Sequence, residues 1–237
     1  MKTLGIIGGL GPLATARFYE KIVRLTPAKE DQDHFDTLIF SRASIPKRVE
    51  YILGESEDSP LPALIDTAKR LEAAGAQVLI MPCITAHYFY EDISNAIETE
   101  ILDAAALTIS ELKKRSLHKV CLLGTRATIG SGFLEKRLRA GGIEAVSPAP
   151  SLQTEIDHLI FDCIKQNIMP EKESYEKVLI KGLELSDINL ICCTELSILQ
   201  DEWGLEGALD MMDVLARKTI EACMGNSSDR SFGEAAL

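Results

Sequence analysis

The hydrophobic pattern alternates between short apolar runs and longer stretches of helical periodicity. Apolar runs typical of β-strands occupy residues 4–7, 36–41, 77–81, 119–123 and 188–192. Between them, apolar residues recur every three or four positions and predict helices over residues 14–25, 61–74, 90–117, 131–140, 155–168, 173–185 and 205–224. Strands that alternate with helices predict an α/β fold with parallel sheets flanked by helices.

The strand and turn pattern restarts in the middle of the chain, which predicts two similar halves. Each half opens with a strand and a glycine turn, at Gly8 and at Gly124, and each closes with a strand and a cysteine turn, at Cys83 and at Cys193. In parallel sheets, ligands bind beyond the carboxyl ends of the strands. We therefore expect two halves that face each other across a cleft, with one cysteine on either side.

The cysteines separate into buried candidates and site candidates. The chain has six of them: Cys83, Cys121, Cys163, Cys192, Cys193 and Cys223. No CxxC pair indicates zinc or thioredoxin-like chemistry. Cys121 lies in an apolar strand, and Cys163 and Cys223 lie on apolar helix stripes, so we interpret these three as small core residues. Cys83 and Cys193 differ, because each follows a strand and precedes a threonine-bearing turn.

Composition indicates the cellular compartment of the protein and excludes several classes of binding partner. The formal net charge of -11 argues against nucleic acid and anionic membrane as partners. No window approaches the roughly 18 apolar residues of a membrane span. The apolar run after Met1 is too short for a signal-peptide core and lacks a cleavage pattern. We therefore expect a cytoplasmic protein with reduced thiols and a small-molecule substrate.

Two loops could bind an anion. The glycine turn at 8–12 follows a strand and precedes a helix, but its GGxG spacing and the lack of a P-loop lysine make it a weak nucleotide motif. The second loop, residues 42–48, carries Arg42, Lys47 and Arg48. It is either a solvated loop or a clamp for a carboxylate, which arginine binds in a bidentate manner.

Two thiols on opposite sides of a small carbon acid can invert its stereocentre. One, as the thiolate, removes a proton, and the other, as the thiol, delivers a proton to the opposite face. The thiolate needs stabilisation by nearby donors or helix N-termini, and the carbanion needs donors placed around the carboxylate. The hydroxyls of Thr85, Thr125, Thr128 and Thr194 are suitable donors.

Four segments together resemble the aspartate/glutamate racemase family: GGLGPLAT at 8–15, MPCITAH at 81–87, LGTRAT at 123–128 and CTEL at 193–196. Their order and spacing match over essentially the whole chain. The resemblance implies a dimeric amino-acid racemase that needs neither cofactor nor metal and has two pseudo-symmetric α/β domains. It implies that Cys83 and Cys193 are the acid/base pair and that Arg48 binds the side-chain carboxylate of the substrate.

The resemblance also suggests further site residues and the domain division. Leu10 occupies a substrate-contacting turn where the family often has methionine. Lys165 matches a lysine that assists the arginine, although Asp162 three residues earlier makes a helix-surface ion pair an equal alternative. The last helix is expected to pack on the first half. The predicted domains are therefore 1–110 plus 206–225, and 111–205, with 226–237 as a flexible tail.

Two positions depart from the family pattern. Ile84 replaces an asparagine and can neither donate nor accept a hydrogen bond. Cys192 replaces a glycine, and strand alternation predicts that it points into the core, away from Cys193. The roles of two neighbouring residues stay open. His87 either lies near the Cys83 thiol or packs within the following helix, and Glu195 either tunes the Cys193 thiol or stabilises a helix N-terminus.

We therefore predict a racemase of a small acidic amino acid, aspartate or glutamate, that uses two cysteines as its two bases. Because Ile84 is unusual, a non-acidic or broad substrate range is an alternative. A cysteine-dependent isomerase or decarboxylase of small dicarboxylates is another. A non-catalytic amino-acid-binding protein on the same fold is a more remote possibility.

Overall fold

A computed structural model of the chain describes residues 1–225 and contains two parallel β-sheets. The predicted tail at 226–237 lies outside the described residues. The first sheet has the order β2-β1-β3, from strands β1 (Leu4–Gly8), β2 (Thr37–Ser41) and β3 (Val78–Ile80). The second has the order β5-β4-β6-β7, from strands β4 (Lys119–Leu123), β5 (Glu144–Val146), β6 (Ile188–Ile191) and β7 (Ala208–Asp210). Every strand pair in both sheets is parallel, which confirms the predicted α/β class.

Helices connect the strands in both halves. In chain order, α1 to α11 are Pro12–Leu25, Arg48–Ile52, Leu61–Ala73, Tyr90–Ser94, Ala104–Lys114, Arg126–Gly130, Phe133–Ala140, Pro150–Asp157, Lys172–Leu183, Thr194–Trp203 and Met211–Met224. Short 3₁₀ turns cover Asp31–Asp33, Ile84–Phe89 and Ile164–Gln166, and a π-helical turn covers His158–Cys163. Within the described residues, no helix combines the length and the hydropathy needed to cross a bilayer.

The predicted single helix over 90–117 is wrong, because the chain forms two helices there. Helix α4 ends at Ser94, and the following segment extends the first sheet through a parallel bridge between Ile101 and Leu79. Helix α5 then restarts behind Asp103, whose carboxylate accepts hydrogen bonds from the backbone N–H groups of Ala105 and Ala106. The apolar period continues through this break because Ile101 is buried as a strand residue.

Three other helix predictions need correction. The helix over 131–140 begins only at Phe133, because Gly132 adopts a φ of +66°, and the turn predicted before it forms the short helix α6. The helix over 155–168 begins earlier, widens into the π-helical turn and ends at Asn167, with φ +60°. The last helix begins only at Met211, because β7 precedes it and the Asp210 carboxylate caps it by accepting from Met212 N. Strand β5 and helix α10 were not predicted.

One buried apolar cluster joins the two halves. It contains Leu4 and Ile80 of the first sheet together with Leu122 and Leu190 of the second. Helix α11 packs against α1 and α5, as expected for a helix returning to the first half. Because β7 pairs with β6, we propose that the first domain comprises residues 1–110 plus 211–225 and the second residues 111–210.

Candidate active site

A cavity of about 340 Å³ lies where the carboxyl ends of the central strands of both sheets meet. The first half contributes the turn after β1, the start of α2 and the turn after β3, and the second half contributes the turns after β4 and β6 and the segment after α8. The lining residues are Leu10, Lys47, Arg48, Val49, Glu50, Cys83, Ile84, Thr85, Thr125, Phe161, Lys165, Cys193, Thr194 and Glu195. Both predicted cysteine turns therefore face the same cavity.

Cys193 stands at the N-cap of α10 and donates its thiol proton to a carboxylate. Its Sγ lies 3.0 Å from Glu195 Oε2, and the hydroxyl of Thr194 donates to the same oxygen at 3.2 Å. The other oxygen, Oε1, accepts a hydrogen bond from Lys165 Nζ at 2.5 Å. Cys193 and Glu195 are buried. The result is a chain of contacts that runs from a partly exposed lysine through a buried glutamate to a buried thiol.

The electrostatics of this chain favour a protonated Cys193. Burial and the negative charge of Glu195 raise the pKa of the Cys193 thiol well above its ordinary value. Burial opposes ionisation of Glu195, but the ammonium of Lys165 outweighs it and lowers the pKa of the carboxyl. Burial likewise opposes the charge on Lys165, and Glu195 overcomes it and raises the lysine pKa. Lys165 and Glu195 are thus a charged pair, and Cys193 is a neutral thiol.

Cys83 occupies the equivalent position in the first half. It precedes the 3₁₀ turn Ile84–Phe89, and 6% of its surface is exposed. His87 bonds through Nδ1 to the carbonyl oxygen of Cys83 at 3.0 Å and stacks on Tyr90. Burial lowers the pKa of His87, and its Nε2 has no hydrogen-bond partner among the described residues. His87 is therefore a neutral residue that packs behind the turn, outside the cavity lining.

Arg48 presents a guanidinium with spare hydrogen-bonding capacity to the cavity. Its two terminal nitrogens donate to the carbonyl oxygens of Leu10, at 2.6 Å, and of Pro46, at 3.2 Å. Its Nε is buried without a partner in the described chain. The other lining cations are neutralised: Lys47 pairs with Glu50 at 3.0 Å, and Lys165 pairs with Glu195. A carboxylate in the cavity would thus meet its positive charge at Arg48.

Three threonine hydroxyls form a closed triangle between the two halves. Thr85 lies 3.1 Å from Thr125 and 3.0 Å from Thr128, and the latter two lie 3.1 Å apart, all measured between Oγ1 atoms. Thr125 also caps α6 by accepting from Thr128 N. Thr85 and Thr125 line the cavity, and Thr128 supports them from behind. Because a hydroxyl both donates and accepts, one donor of the triangle can turn toward a substrate oxygen.

Comparison with known proteins identifies the family. The model of the Asp/Glu/Hydantoin racemase family matches residues 7–219. The chain belongs to the Asp/Glu/hydantoin racemase family. It is therefore an isomerase of the amino-acid racemase class, as the sequence motifs predicted.

Its relatives cover nearly the whole chain. The broad specificity amino-acid racemase RacX of Bacillus subtilis is 28% identical over 231 residues, which are 95% of this chain and 100% of that protein. The Picrophilus torridus aspartate racemase is 31% identical with a TM-score of 0.81 over 94% of both chains. An aspartate racemase homologue from Pyrococcus horikoshii OT3 is 27% identical with a TM-score of 0.75, over 95% of this chain and 100% of that one.

The predicted site residues of this racemase lie together around the cavity, with Thr128 one contact away from it. The predicted alternative of a surface ion pair between Lys165 and Asp162 is wrong, because Lys165 pairs with Glu195 while Asp162 hydrogen-bonds His158. That Lys165 assists Arg48 stays a prediction. Cys192 is fully buried and donates to the carbonyl oxygen of Leu123, which confirms the predicted core position.

Sequence reasoning missed three lining residues, Val49, Glu50 and Phe161, and left the roles of Lys47 and Glu195 open. Val49 and Glu50 follow Arg48 at the start of α2, and their proximity in sequence to Arg48 could have indicated them. Phe161 lies four residues before Lys165, on the π-helical turn. No local sequence pattern predicts such a π-helical turn.

Proposed function

We propose that this racemase interconverts the L and D forms of an amino acid with Cys83 and Cys193 as its two bases. The observation that supports the proposal is that both thiols line one cavity together with the unpaired charge of Arg48. In one direction, the Cys83 thiolate takes the α-proton as the C–H bond breaks. The Cys193 thiol then donates its proton to the opposite face of the α-carbon. In the other direction the two residues exchange roles.

The residues around the thiols favour a carboxylate and the carbanion formed beside it. Thr194 and Cys193 stand at the N-terminus of α10, whose free N–H groups and dipole favour negative charge. Together with the hydroxyls of Thr85 and Thr125, the N-terminus of α10 forms a side of the cavity that is suited to binding the α-carboxylate. Fixed donors of this kind stabilise charge that develops in the transition state without having to reorganise. Arg48, on the other wall, remains for a second carboxylate.

The cavity has two separate places that suit an anion, and this supports a small acidic amino acid, aspartate or glutamate, as the substrate. The N-terminus of α10 would hold the α-carboxylate, and Arg48 would hold the side-chain carboxylate. Replacing Arg48 by methionine should then raise KM for aspartate, whereas Arg17→Met, at an exposed arginine outside the cavity lining, should leave it nearly unchanged. An unchanged KM in Arg48→Met would contradict this assignment of Arg48.

A second candidate is a racemase of non-acidic or varied amino acids. Leu10, Ile84 and Phe161 give the cavity an apolar portion, and the relative from B. subtilis is described as broad in specificity. A panel of the proteinogenic amino acids in D₂O, with α-deuterium incorporation followed by mass spectrometry, separates the two. Exchange confined to aspartate or glutamate supports the first candidate, and exchange of uncharged amino acids supports the second.

The two-base mechanism is tested by cysteine variants without added cofactor. Cys83→Ala and Cys193→Ala should each abolish D/L interconversion. Cys121→Ala is a matched control, because this buried cysteine lies in β4 outside the cavity lining, and it should retain activity. Interconversion that survives in either active-site variant would refute the pair. Covalent trapping of substrate on one cysteine would instead favour an isomerase or decarboxylase that uses that cysteine as a nucleophile.

A further inference from the structure

Glu195, which accepts a hydrogen bond from the Cys193 thiol, also lines a second cavity. A further cavity of about 300 Å³ lies next to the first, and Lys165 and Glu195 line both of them. Pro12, Leu13 and Asn167, which are exposed, also line the second cavity and place its mouth at the protein surface. The Lys165–Glu195 pair is therefore the partition between the substrate cavity and a solvent-accessible cavity.

We propose that Glu195 is a catalytic residue that carries protons between Cys193 and the solvent of this second cavity once the product has left the substrate cavity. The proposal rests on the two-cysteine function. Each turnover from one enantiomer leaves the cysteines with exchanged protonation states, so the free enzyme must restore them before it can accept the same enantiomer again. Cys193 is buried, and Glu195 is the group that joins its sulfur to the second cavity.

The contacts fit such a transfer. Oε2 of Glu195 lies 3.0 Å from Cys193 Sγ, and Oε1 lies beside Lys165 Nζ. The N-terminus of α1 approaches from the first half: a Cβ on Gly11 would lie 3.4 Å from Oε1 and 3.9 Å from the lysine nitrogen. The N-terminal turn of α1 thus comes as close to the pair as an ordinary van der Waals contact allows. The charged and titratable groups that face Glu195 are Lys165 and Cys193, with the positive end of α1 at Gly11.

The chemistry balances without any further reactant. The proton that Cys83 took from the substrate passes to water in the cavity that Cys83 lines, Cys83–SH + H₂O → Cys83–S⁻ + H₃O⁺. Cys193 regains a proton from the second cavity, Cys193–S⁻ + H₃O⁺ → Cys193–SH + H₂O, with Glu195 as the transient carrier. The two steps together restore the starting protonation states. While Cys193 is a thiolate, its negative charge adjoins the carboxylate and favours protonation of Glu195. Lys165 keeps its charge throughout and holds the carboxylate between the two cavities.

The kinetic test separates proton return from the chemical step. Glu195→Gln should lower kcat by about 100-fold, the lower end of the range for a positioned acid–base group. Because proton return follows product release, kcat/KM should change by less than about 3-fold. Glu195→Asp should restore part of kcat. Glu202→Gln, on the same helix and exposed, is the matched control and should behave as the wild type.

The outcomes distinguish the relay from the underlying function. A wild type without D/L interconversion refutes the two-cysteine function itself. With an active wild type, an unchanged kcat in Glu195→Gln, or equal losses in kcat and kcat/KM, overturns the relay. A second readout needs no turnover: removing the carboxylate charge should move the pH profile of Cys193 alkylation by iodoacetamide to lower pH, and Glu202→Gln should leave it in place. An unmoved profile in Glu195→Gln also overturns the relay.

Discussion

Replacing Gly124 by alanine should force two buried groups apart directly beneath the active site. A Cβ at this position would lie 2.6 Å from Cys192 Sγ and 3.2 Å from the Cys192 carbonyl oxygen. Carbon atoms in contact normally lie about 3.5–4.0 Å apart, and sulfur is larger than carbon. The φ of Gly124 is outside the left-handed region, so the effect is steric and not conformational.

The loss of unfolding free energy in Gly124→Ala depends on how rigidly the neighbouring Cys192 is held. Cys192 is fully buried and hydrogen-bonded to Leu123, so it cannot swing away freely, and overpacking of this kind costs about 1–3 kcal/mol of unfolding free energy. Cys192→Ala alone should cost about 1 kcal/mol, because it removes one buried atom and its hydrogen bond. In the double variant, the added methyl takes the space of the lost sulfur. The two changes should therefore couple by about 1 kcal/mol in the stabilising direction.

Urea unfolding of the four proteins measures this coupling. Rescue should be partial, because the contact with the carbonyl oxygen at 3.2 Å remains when the sulfur is gone. Thr125 follows Gly124 directly, so Gly124→Ala should also slow α-deuterium exchange, and the double variant should regain part of the rate. Strictly additive losses in unfolding free energy would refute the steric reasoning.

Two further predictions concern buried charge and pH. Lys21 is buried against the carboxylate of Asp210 and also forms ion pairs with Asp201 and Asp213. Because Lys21→Met leaves the charge of the buried Asp210 unpaired, it should lower the unfolding free energy measured in urea titrations by about 3–5 kcal/mol. The exposed pair of Lys218 is the control, and a similar loss in Lys218→Met would contradict this. His87, whose pKa burial lowers, should make the protein less stable as the pH falls below about 6.5, because the unfolded chain then binds a proton that the folded chain excludes. His87→Gln should reduce this slope by up to about 1.4 kcal/mol per pH unit in urea titrations between pH 7 and 5, and parallel slopes would rule it out.

The sequence was sufficient to predict the edge of each sheet at which the cavity lies. Strand, glycine turn and cysteine turn are local patterns, and parallel pairing brings their ends to one edge whatever the connecting segments do. For this reason Cys83, Thr85, Thr125 and Cys193 are found around one cavity, as expected. The buried position of Cys192 followed equally from strand alternation, because its neighbour faces the cavity.

What could not be predicted depends on contacts between distant residues. Lys165, which follows the π-helical turn after α8, pairs with Glu195 thirty positions further along the chain, and sequence separation alone made its neighbour Asp162 an equal alternative. The break between α4 and α5 could not be predicted from the sequence for a related reason. Ile101 continues the helical apolar period but is buried by pairing with Leu79, and periodicity cannot distinguish these two ways of burying one side chain.

The two departures from the family pattern belong to one structural feature. Ile84 follows Cys83, and Cys192 precedes Cys193; both side chains are buried in the apolar cluster that joins the sheets. Although Ile84 also borders the cavity, an asparagine there would put an amide into this cluster, and burying a polar group without partners costs about 1–3 kcal/mol. Position 84 thus supports the cysteine turn from the core. Under the proposed function, substrate binding is then left to Arg48, whose Nε has no hydrogen-bond partner among the described residues, and to the threonine hydroxyls that line the cavity.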